Sequence, residues 1–427
     1  MEIAEMNATY RHGSFFYNAR YQVVGGILVA VGVPFLLRII YAWETLSSIN
    51  YQVTIVAAAI AHIGGYLIYK RLESFPGTTG FSTILPAFAV SYAVVFVTIF
   101  FFRLDYSRLQ AAGSFIISSS WYFLFYIFTY RTRKYHLGLV PGGEIERLDA
   151  IENVVWVPLA LNEKLPKHIT AVVADLTADY SSAWERFITD SVLIGTPVYN
   201  VKQVVESLTG RVAIEHLSEN TLGSLTPSPL YLVVKKVLDR VVAFSVLILV
   251  SPILLLVALA IKLDSPGPAL FRQLRMGYRG KPFSVYKFRT MRVESSSPSS
   301  TRSDAITQDN DSRITRLGRF LRKTRIDELP QAINILQGEM SWIGPRPEAV
   351  VLSKWYEDEL PFYRYRHIVL PGITGWAQVR QGHVSSVEDV NEKLYYDFYY
   401  IKNFSLWLDV VIALRTIKIM LTGYGAK

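Results

Sequence analysis

Four long apolar runs in the first third of the chain constrain its fold more than any other feature. They cover residues 21–43, 53–69, 85–102 and 115–130, and each approaches the ~20 residues that a helix needs to cross a bilayer. One such run would fit a buried core helix, but four with short connections indicate transmembrane helices. Residues 1–140 are therefore predicted to form a four-helix transmembrane bundle within a chain of 427 residues.

The basic residues around these runs predict the orientation of the bundle. They lie before the first run and after the second and fourth: Arg11, Arg20, Lys70, Arg71, Arg131, Arg133 and Lys134. The first opposite loop, around Glu44, has no basic residue, although the second has Arg103 and Arg108. Because cytoplasmic loops are enriched in Lys and Arg, both ends of the bundle are predicted to face the cytoplasm.

A different pattern begins near Glu146. The segments "ITAVVADL", "TPVYNV" and "RVAIEHL" are typical of strands, and "SAWERFITDSVL" and "VKQVVESL" are typical of helices. This alternation predicts a small Rossmann-like α/β domain over residues 141–226, ending in the linker "SENTLGSLTPSP". From Glu146 to the linker its glycines are Gly195 and Gly210, so it has no GxGxxG fingerprint, and a structural or regulatory role is favoured over cofactor binding.

A fifth apolar run, residues 241–261, is long enough to span the membrane but has basic residues on both sides. These flanks favour cytoplasmic placement of both ends. Ser251 and Pro252 stand in its middle, and proline kinks a helix because it removes a backbone donor. The sequence predicts a re-entrant helix near residues 232–263, and a kinked ordinary span is the alternative.

The adjacent acids Asp327 and Glu328 suggest a site for chemistry. Pro330 follows them, so they also fit a helix start, where the helix dipole stabilises acids. One acid would suffice for that purpose, whereas two among basic residues favour a site that holds a divalent cation or a nucleophile beside phosphates. The chain has no cysteine and no HxxxH pair, so oxygen ligands point to Mg²⁺ rather than zinc.

The formal charge of +9 indicates an anionic partner. Arg316, Arg319 and Arg322 recur at a spacing of three, which predicts a basic helix face on anionic lipid, with Leu317, Phe320 and Leu321 largely opposite. Nucleic acid is not favoured, because no recognition motif is present. Arg346 stands between two prolines, so its backbone loses little entropy when its guanidinium binds a ligand. The planar guanidinium suits a phosphate. The alternative is that this segment is only a rigid surface turn.

Several motifs in one order carry a family likeness: "KFRTM", "LRKTRIDELPQ", "LQGEMSWIGPRPE", "LPGITGWAQV" and "YYDFYYIKNFSLWLDVVI". Together they resemble the monotopic polyprenyl-phosphate hexose-1-phosphate transferases, bacterial sugar transferases that begin exopolysaccharide, capsule and O-antigen repeat units. The match covers about residues 232–422. The preceding spans and α/β domain are similar to the long members of the family. The resemblance implies a mostly helical monotopic catalytic domain over residues 227–427, on the cytoplasmic face of the bacterial inner membrane.

The implied reaction transfers a hexose 1-phosphate from a UDP-sugar to undecaprenyl phosphate and releases UMP. By motif position, Asp327 is the nucleophile and a Mg²⁺ ligand, and Glu328 is its dyad partner and second metal ligand. Lys287, Arg322 and Arg346 are the phosphate contacts, and Ser251–Pro252 is the helix break. Arg325 departs from the family pattern, which has a small residue there. A homodimer and contacts with membrane lipids are also implied.

Two further questions stay open at this point. A non-catalytic membrane sensor or a scaffold of a polysaccharide assembly complex would need the spans and the basic face but not the dyad. The tyrosines of "YYDFYY", followed by Trp407, suit either a membrane interface or packing within the domain.

Overall fold

The chain divides into two units, Met1–Gly210 and Arg211–Lys427. The computed structural model describes residues 19–42, 49–73, 80–130, 135–148, 151, 154–161, 165–166, 168–214, 227, 229–292, 313–381 and 387–422. Most of the predicted linker, and the basic residues at 11, 131, 133 and 134, lie outside these ranges. The first unit contains a helical bundle and a parallel sheet, and the second is mostly helical.

The bundle has four helices: α1 (Ala19–Ala42), α2 (Ile49–Glu73), α3 (Gly80–Phe101) and α4 (Arg108–Tyr130). The chain has four described helices that are long and apolar enough to cross a membrane, and they are α1, α2, α3 and a later helix, Pro229–Asp264. The fourth predicted span is helical within α4 but is not among them. Serines 114, 118, 119 and 120 lower the mean hydropathy of α4.

These serines explain how α4 packs in the bundle. Tyr92 of α3 shares hydrogen bonds with the hydroxyl groups of Ser114 and Ser118, at 2.8 and 2.9 Å. His62 of α2 contacts the same Ser118 hydroxyl through Nδ1 at 2.8 Å. All four side chains are buried. Polar groups inside the bundle therefore join the helices, where lipid could not satisfy them.

The rest of the first unit is a four-stranded parallel sheet in the order β2-β1-β3-β4, which agrees with the predicted small parallel sheet. Its elements are β1 (Tyr135–Leu139), β2 (Val154–Pro158), β3 (Ala171–Ala174), α5 (Ser182–Leu193), β4 (Val198–Asn200) and α6 (Val201–Thr209). Helices α5 and α6 confirm the two helical predictions, and β3 and β4 confirm two of the three strands.

Two details of this sheet differ from the sequence reading. No strand forms over the described residues 211–214 of "RVAIEHL"; the Val212 amide donates to the Tyr395 carbonyl of the second unit's own fold instead. The sheet also begins earlier than expected, at β1, and Gly142 and Gly143 follow that strand. A Cβ on Gly143 would lie 2.3 Å from a carboxylate oxygen of Asp175, so this turn needs glycine for close approach. The spacing is not that of a dinucleotide fingerprint.

The second unit begins with α7 (Pro229–Asp264), a continuous helix of 36 residues. It is about 54 Å long at 1.5 Å per residue, and only 6% of its apolar segment is buried by the rest of the protein. Pro252 cannot donate to the Ile248 carbonyl, but the Ser251 hydroxyl does so at 2.9 Å. The helix bounds agree with the predicted segment, while its return to the same side of the membrane stays a prediction.

The remaining elements are short: β5 (Leu270–Met276), β6 (Pro282–Phe288), α8 (Arg316–Thr324), α9 (Gln331–Gln337), β7 (Ser341–Ile343), α10 (Val350–Glu359), β8 (Gly372–Thr374), α11 (Trp376–Arg380), α12 (Val387–Lys402) and α13 (Leu406–Thr422). Strands β5 and β6 form an antiparallel hairpin, and β7 pairs with β8 in parallel. One apolar cluster joins Ala243 of α7 to the hairpin and α9, and another joins Ile261 of α7 to Leu321 of α8. The hairpin, α8 and α9 are thus packed directly on α7.

Tertiary packing decides where the tyrosines of "YYDFYY" lie and on which side of α8 Phe320 lies. Tyr396, Tyr399 and Tyr400 are no more than 5% exposed, so they pack within the domain rather than at a membrane interface. Phe320, expected on the packed side of α8, is 57% exposed beside the exposed Arg316 and Arg319. Gly318 and Leu321 are the buried residues of this nine-residue helix, so the side of α8 that faces the core is the one that carries them.

Candidate active site

The dyad lies in a tight connection between α8 and α9. Helix α8 ends at Arg325, which adopts a left-handed conformation with φ of 59°, and a single 3-10 turn, Ile326–Glu328, follows. A non-glycine residue in this region costs on the order of 1 kcal/mol. The turn buries both Asp327 and Glu328, at 9% and 6% exposure. The departure at position 325 therefore sits at the corner that presents the two acids.

Glu328 is an ion-pairing centre. Its Oε1 accepts from Arg346 Nη2 at 2.8 Å and from Lys287 Nζ at 3.1 Å, and Arg325 Nη1 lies 4.0 Å away. Burial alone would raise the pKa of Glu328, but the charges of Arg346 and Lys287 outweigh it and hold the pKa well below its usual range. Glu328 is therefore ionised and already neutralised by cations of this chain.

Asp327 has a different environment. Its Oδ1 is buried and has no hydrogen-bond partner among the described residues. Burial and the charge of Glu328 raise the pKa of Asp327, while Lys287 and Arg325 oppose that rise. A buried carboxylate oxygen without a partner is unfavourable unless a cation or an electrophile meets it. Asp327 Oδ1 is therefore a candidate for chemistry, because no hydrogen bond of the described residues engages it.

The same contrast tests the predicted Mg²⁺ site. Asp327 offers an uncommitted carboxylate oxygen, which is the ligand type that Mg²⁺ prefers, whereas Glu328 Oε1 is engaged by two basic side chains. The described residues contain no group of three or more His, Asp or Glu side chains able to hold a metal. Mg²⁺ is commonly held by one or two carboxylates together with substrate phosphates. The site fits such a shared ion, with Asp327 as its main protein ligand.

Lys287 reaches the dyad from strand β6. Burial lowers its pKa to about 8, against the opposing charge of Glu328, and Arg346 and Arg275 lower it further. Phe271, half-exposed, is its cross-strand partner on β5, so these two side chains lie on the same face of the hairpin. Lys287 is consequently a cation whose charge is sensitive to its surroundings at moderately alkaline pH.

Arg322 is placed beside the dyad by the "KFRTM" motif. Its Nε donates to the Thr290 hydroxyl at 2.9 Å, and its charge lowers the pKa of Asp327. Gly318 permits this arrangement, since a Cβ there would lie 2.0 Å from the Thr290 carbonyl oxygen. The structure thus brings Lys287, Arg346 and Glu328 into direct contact, with Arg322 acting on Asp327 through its charge. Ser251 and Pro252 lie in α7, outside this cluster.

The "GPRP" loop is held by the "LPGITG" segment. The Gly344 amide donates to the Thr374 carbonyl at 2.9 Å, and the Gly372 amide donates to the Pro345 carbonyl at 3.0 Å. A Cβ on Gly344 would lie 2.3 Å from the Leu370 carbonyl oxygen. Two motifs that are distant in sequence therefore form one support for Arg346. Arg346 binds a buried carboxylate at 2.8 Å, so the loop is more than an exposed turn, and its contact with a phosphate stays a prediction.

Sequence reasoning missed a set of buried and partly buried charged residues around this loop: Arg275, Glu348, Arg366, Lys393 and Asp397. Lys393 binds Glu348 at 2.6 Å, and Arg366 binds Asp397 at 2.9 Å. Glu348 and Asp397 stand inside the quoted motifs "GPRPE" and "YYDFYY". A carboxylate among buried tyrosines requires a buried cation, and that signal could have found Asp397.

Comparison with known proteins decides the family. Residues 230–423 match the family model described as "Bacterial sugar transferase". A UDP-N-acetylgalactosamine-undecaprenyl-phosphate N-acetylgalactosaminephosphotransferase of Aeromonas hydrophila is 42% identical over 406 residues, which cover 94% of each chain. This chain belongs to the bacterial sugar transferase family. The resemblance expected from the motifs is confirmed, and the sugar transferase is an enzyme rather than a non-catalytic sensor or scaffold.

Other relatives match the catalytic region of the transferase. UDP-glucose:undecaprenyl-phosphate glucose-1-phosphate transferases of Escherichia coli (strain K12) and Caulobacter vibrioides are 45% and 47% identical over 185 and 194 residues. These matches cover 43% and 45% of the transferase, and 39% and 71% of the respective relatives. Relatives of similar identity thus differ in the sugar that their names give.

Proposed function

We propose that this transferase moves a hexose 1-phosphate from a UDP-sugar to undecaprenyl phosphate, releases UMP, and so begins exopolysaccharide, capsule or O-antigen repeat units. The relatives' names support the reaction class. The observation that carries the proposal is the unpartnered Oδ1 of Asp327 beside a neutralised Glu328. A phosphoryl-transfer site needs such an oxygen next to fixed cations, because both substrates are anionic.

The reaction proceeds in two displacements. Asp327 Oδ1 attacks the β-phosphorus of the UDP-sugar, and the bond between that phosphorus and the bridging oxygen breaks, so UMP leaves with the electron pair. An oxygen of undecaprenyl phosphate then attacks the phosphorus of the aspartyl-phosphosugar. Breaking the Asp327–phosphorus bond restores the carboxylate and releases the lipid-linked sugar diphosphate. Covalent catalysis divides one crowded displacement between anions into two steps.

The cations of the site have separate roles. Arg346, oriented by Glu328, offers a planar fork to a phosphate, while Lys287 supplies a charge beside Asp327. Arg322 adds a further positive charge from α8. Mg²⁺, when bound by Asp327 and substrate phosphates, would supply additional charge neutralisation. Glu328 positions Lys287 and Arg346, so its principal role is to hold the cations.

A burst experiment tests the covalent step. Purified transferase in nanodiscs receives a donor panel, including UDP-glucose and UDP-N-acetylgalactosamine, without undecaprenyl phosphate. We expect at most about one UMP per active site and retention of labelled sugar phosphate on the protein. If the enzyme turns over with both substrates but shows neither a UMP burst nor retained label without the lipid, the aspartyl intermediate is refuted.

We further propose that α7 re-enters the cytoplasmic leaflet, that residues 262–427 lie in the cytoplasm at the bacterial inner membrane, and that the enzyme acts as a homodimer. The basic flanks and the exposed apolar surface of α7 support the topology. Because the chain lacks cysteine, Arg240→Cys and Leu270→Cys can be labelled individually in spheroplasts. An impermeant maleimide should label neither, whereas the control Asp105→Cys, in a predicted external loop, should react. Labelling at 270 but not at 240 would establish an ordinary span.

A further inference from the structure

The loop around Arg346 is held at every carbonyl from Pro345 to Glu348. The Pro345 carbonyl accepts from the Gly372 amide, and the Glu348 carbonyl accepts from the Met276 amide at 2.9 Å. Between them, the Arg346 carbonyl accepts from Arg366 Nη2 at 2.8 Å, and the Pro347 carbonyl accepts from Arg275 Nη1. Two of these four donors are arginine side chains rather than backbone amides.

The arginine under Arg346 is itself fixed on three sides. Arg366 is 4% exposed, and its Nη2 also lies 2.9 Å from Asp397 Oδ2. Its Nη1 donates to the Tyr363 hydroxyl at 2.6 Å. A lysine has one nitrogen and cannot occupy the Arg346 carbonyl, the Asp397 carboxylate and the Tyr363 hydroxyl with this planar geometry.

Helix α12 supplies both anchors of this support. Asp397 binds Arg366, and Lys393, one turn earlier, binds the Glu348 side chain at 2.6 Å. Residues four apart on a helix share one face, so a single helix face contacts Glu348 directly and reaches the Arg346 carbonyl through Arg366. The loop position is thereby linked to a rigid element that carries none of the groups placed against the dyad.

We propose that Arg366, held by Asp397, is a positioning residue that sets the Arg346 guanidinium for the substrate phosphate. This inference rests on the proposed function, in which Arg346 binds that phosphate. Arg366 touches no substrate in this proposal; it acts through the Arg346 backbone. A displacement of about 1 Å in a catalytic group can cost roughly 100-fold in rate, so loss of this support should appear in turnover.

A double-mutant cycle separates positioning from general stability. Arg366→Lys and Arg346→Lys should each lower kcat/KM roughly 10- to 100-fold. If Arg366 acts only through Arg346, the double variant should fall no more than about threefold below Arg346→Lys alone. Arg364→Lys is the matched control, because Arg364 is 80% exposed two residues away, and its kcat/KM should stay within about twofold of wild type. Multiplied losses in the double variant would overturn the proposal.

Two further measurements keep the inference independent of folding and of the assigned reaction. Asp397→Asn is the second variant, for use if Arg366→Lys does not fold, because it keeps the size of the side chain. It should lower kcat to the extent expected for Arg366→Lys. Hydrogen exchange of the Gly344, Gly372 and Met276 amides, whose hydrogen bonds hold the loop, should accelerate in the folded Arg366 or Asp397 variant but not in Arg364→Lys. If wild type releases no UMP with any donor, the proposed function fails, and unchanged exchange would separately refute the positioning role.

Discussion

Two buried aspartates of the second unit, Asp327 and Asp397, differ in how the protein matches their charge. Both are at most 9% exposed, and burial raises the pKa of each. Neither Asp397 Oδ2 nor Asp327 Oδ1 has an aligned hydrogen-bond partner among the described residues, but Asp397 Oδ2 lies 2.9 Å from the Arg366 guanidinium and forms an ion pair with it. Two aspartates at similar depth therefore differ in charge matching: a guanidinium lies at contact distance from Asp397, and Asp327 is the one that we propose reacts.

The glutamates of these two regions, Glu328 and Glu348, are both matched by neighbouring cations. Glu328 and Glu348 are each paired with basic side chains, and the neighbouring cations hold the pKa of both below the usual range in spite of burial. Asp327 is the member of this group that no partner satisfies. A carboxylate with matched charge serves as a support, and a carboxylate without it marks where a substrate or an ion must enter.

The largest effect should come from Asp327→Asn. We expect turnover to fall by about 10⁴-fold, the order seen when a catalytic carboxylate is removed, because an amide is a poor nucleophile. Stability should be unchanged or higher, since the variant removes an uncompensated buried charge. UMP release and thermal unfolding of the same preparation check this, and Asp397→Asn, with lower stability and residual activity, provides the contrast. Equal losses of stability in the two variants would end the distinction.

Glu328→Gln should damage both activity and stability. The change leaves the cations of Lys287 and Arg346 facing a neutral amide in a buried site. Breaking a buried pair from one side costs about 3–5 kcal/mol, and the phosphate contacts lose their orientation. Denaturant unfolding measures the first effect and kcat/KM the second. A variant with wild-type stability would show that Glu328 is not the charge-balancing member of the dyad.

The pH dependence of kcat/KM should report the charge states of Lys287 and Asp327. As the pH rises through about 8, Lys287 loses its charge, so kcat/KM should decline there, because the free enzyme then lacks a cation for phosphate. Lys287→Arg should move this decline to higher pH, since guanidinium stays charged. At the acid end, activity should fall as Asp327 binds a proton, at a pH above that of an ordinary aspartate. An alkaline decline unchanged in Lys287→Arg would assign it to another group.

As the pH rises through the pKa of Lys287, activity should fall, but the contribution of Lys287 to stability should increase. The folded-state pKa of Lys287 lies below its ordinary value of 10.5, so the unfolded chain binds more protons between about pH 8 and 10.5. The contribution of this group to stability therefore increases with pH across that window. Unfolding free energies of wild type and Lys287→Met across this range measure the difference.

The smallest effect should follow Arg325→Ser. The Arg325 side chain is 49% exposed and 4.0 Å from Glu328, and exposed pairs of this kind contribute about 0–1 kcal/mol. We expect kcat to stay within about threefold of wild type, with a modest rise in the donor KM. A loss of 100-fold would show that this departure from the family pattern has been recruited for catalysis.

Local sequence patterns predicted much of this structure, and the places where they failed share a cause. The helices of the bundle, α5, α6 and the limits of α7 follow from apolar runs and periodicity, which act within a few residues. The fate of the α12 tyrosines and of Phe320 depended on what packs against them. The strand expected at residues 211–214 was replaced by a contact with Tyr395, far away in the chain.

In the site, too, the sequence identified residues but not the contacts between them. The residues alone singled out the dyad and Arg346, and the resemblance to the family added Lys287 and Arg322 as phosphate contacts and assigned the roles. They did not reveal that Glu328 is neutralised while Asp327 is not, because Lys287 and Arg346 reach Glu328 from 41 and 18 residues away. Arg366 and Asp397 were invisible for the same reason.

By itself, the sequence indicated helices able to cross a membrane, a region that belongs to the sugar transferases, and a pair of adjacent acids that we propose to be reactive. Apolar length and motif order are properties of the chain, so they need no coordinates. Only the tertiary structure showed that Glu328 is ion-paired while Asp327 Oδ1 has no hydrogen bond among the described residues, and which side chains hold the Arg346 loop. The charge state of a buried group depends on distances to partners that folding brings together, and no local pattern records those distances.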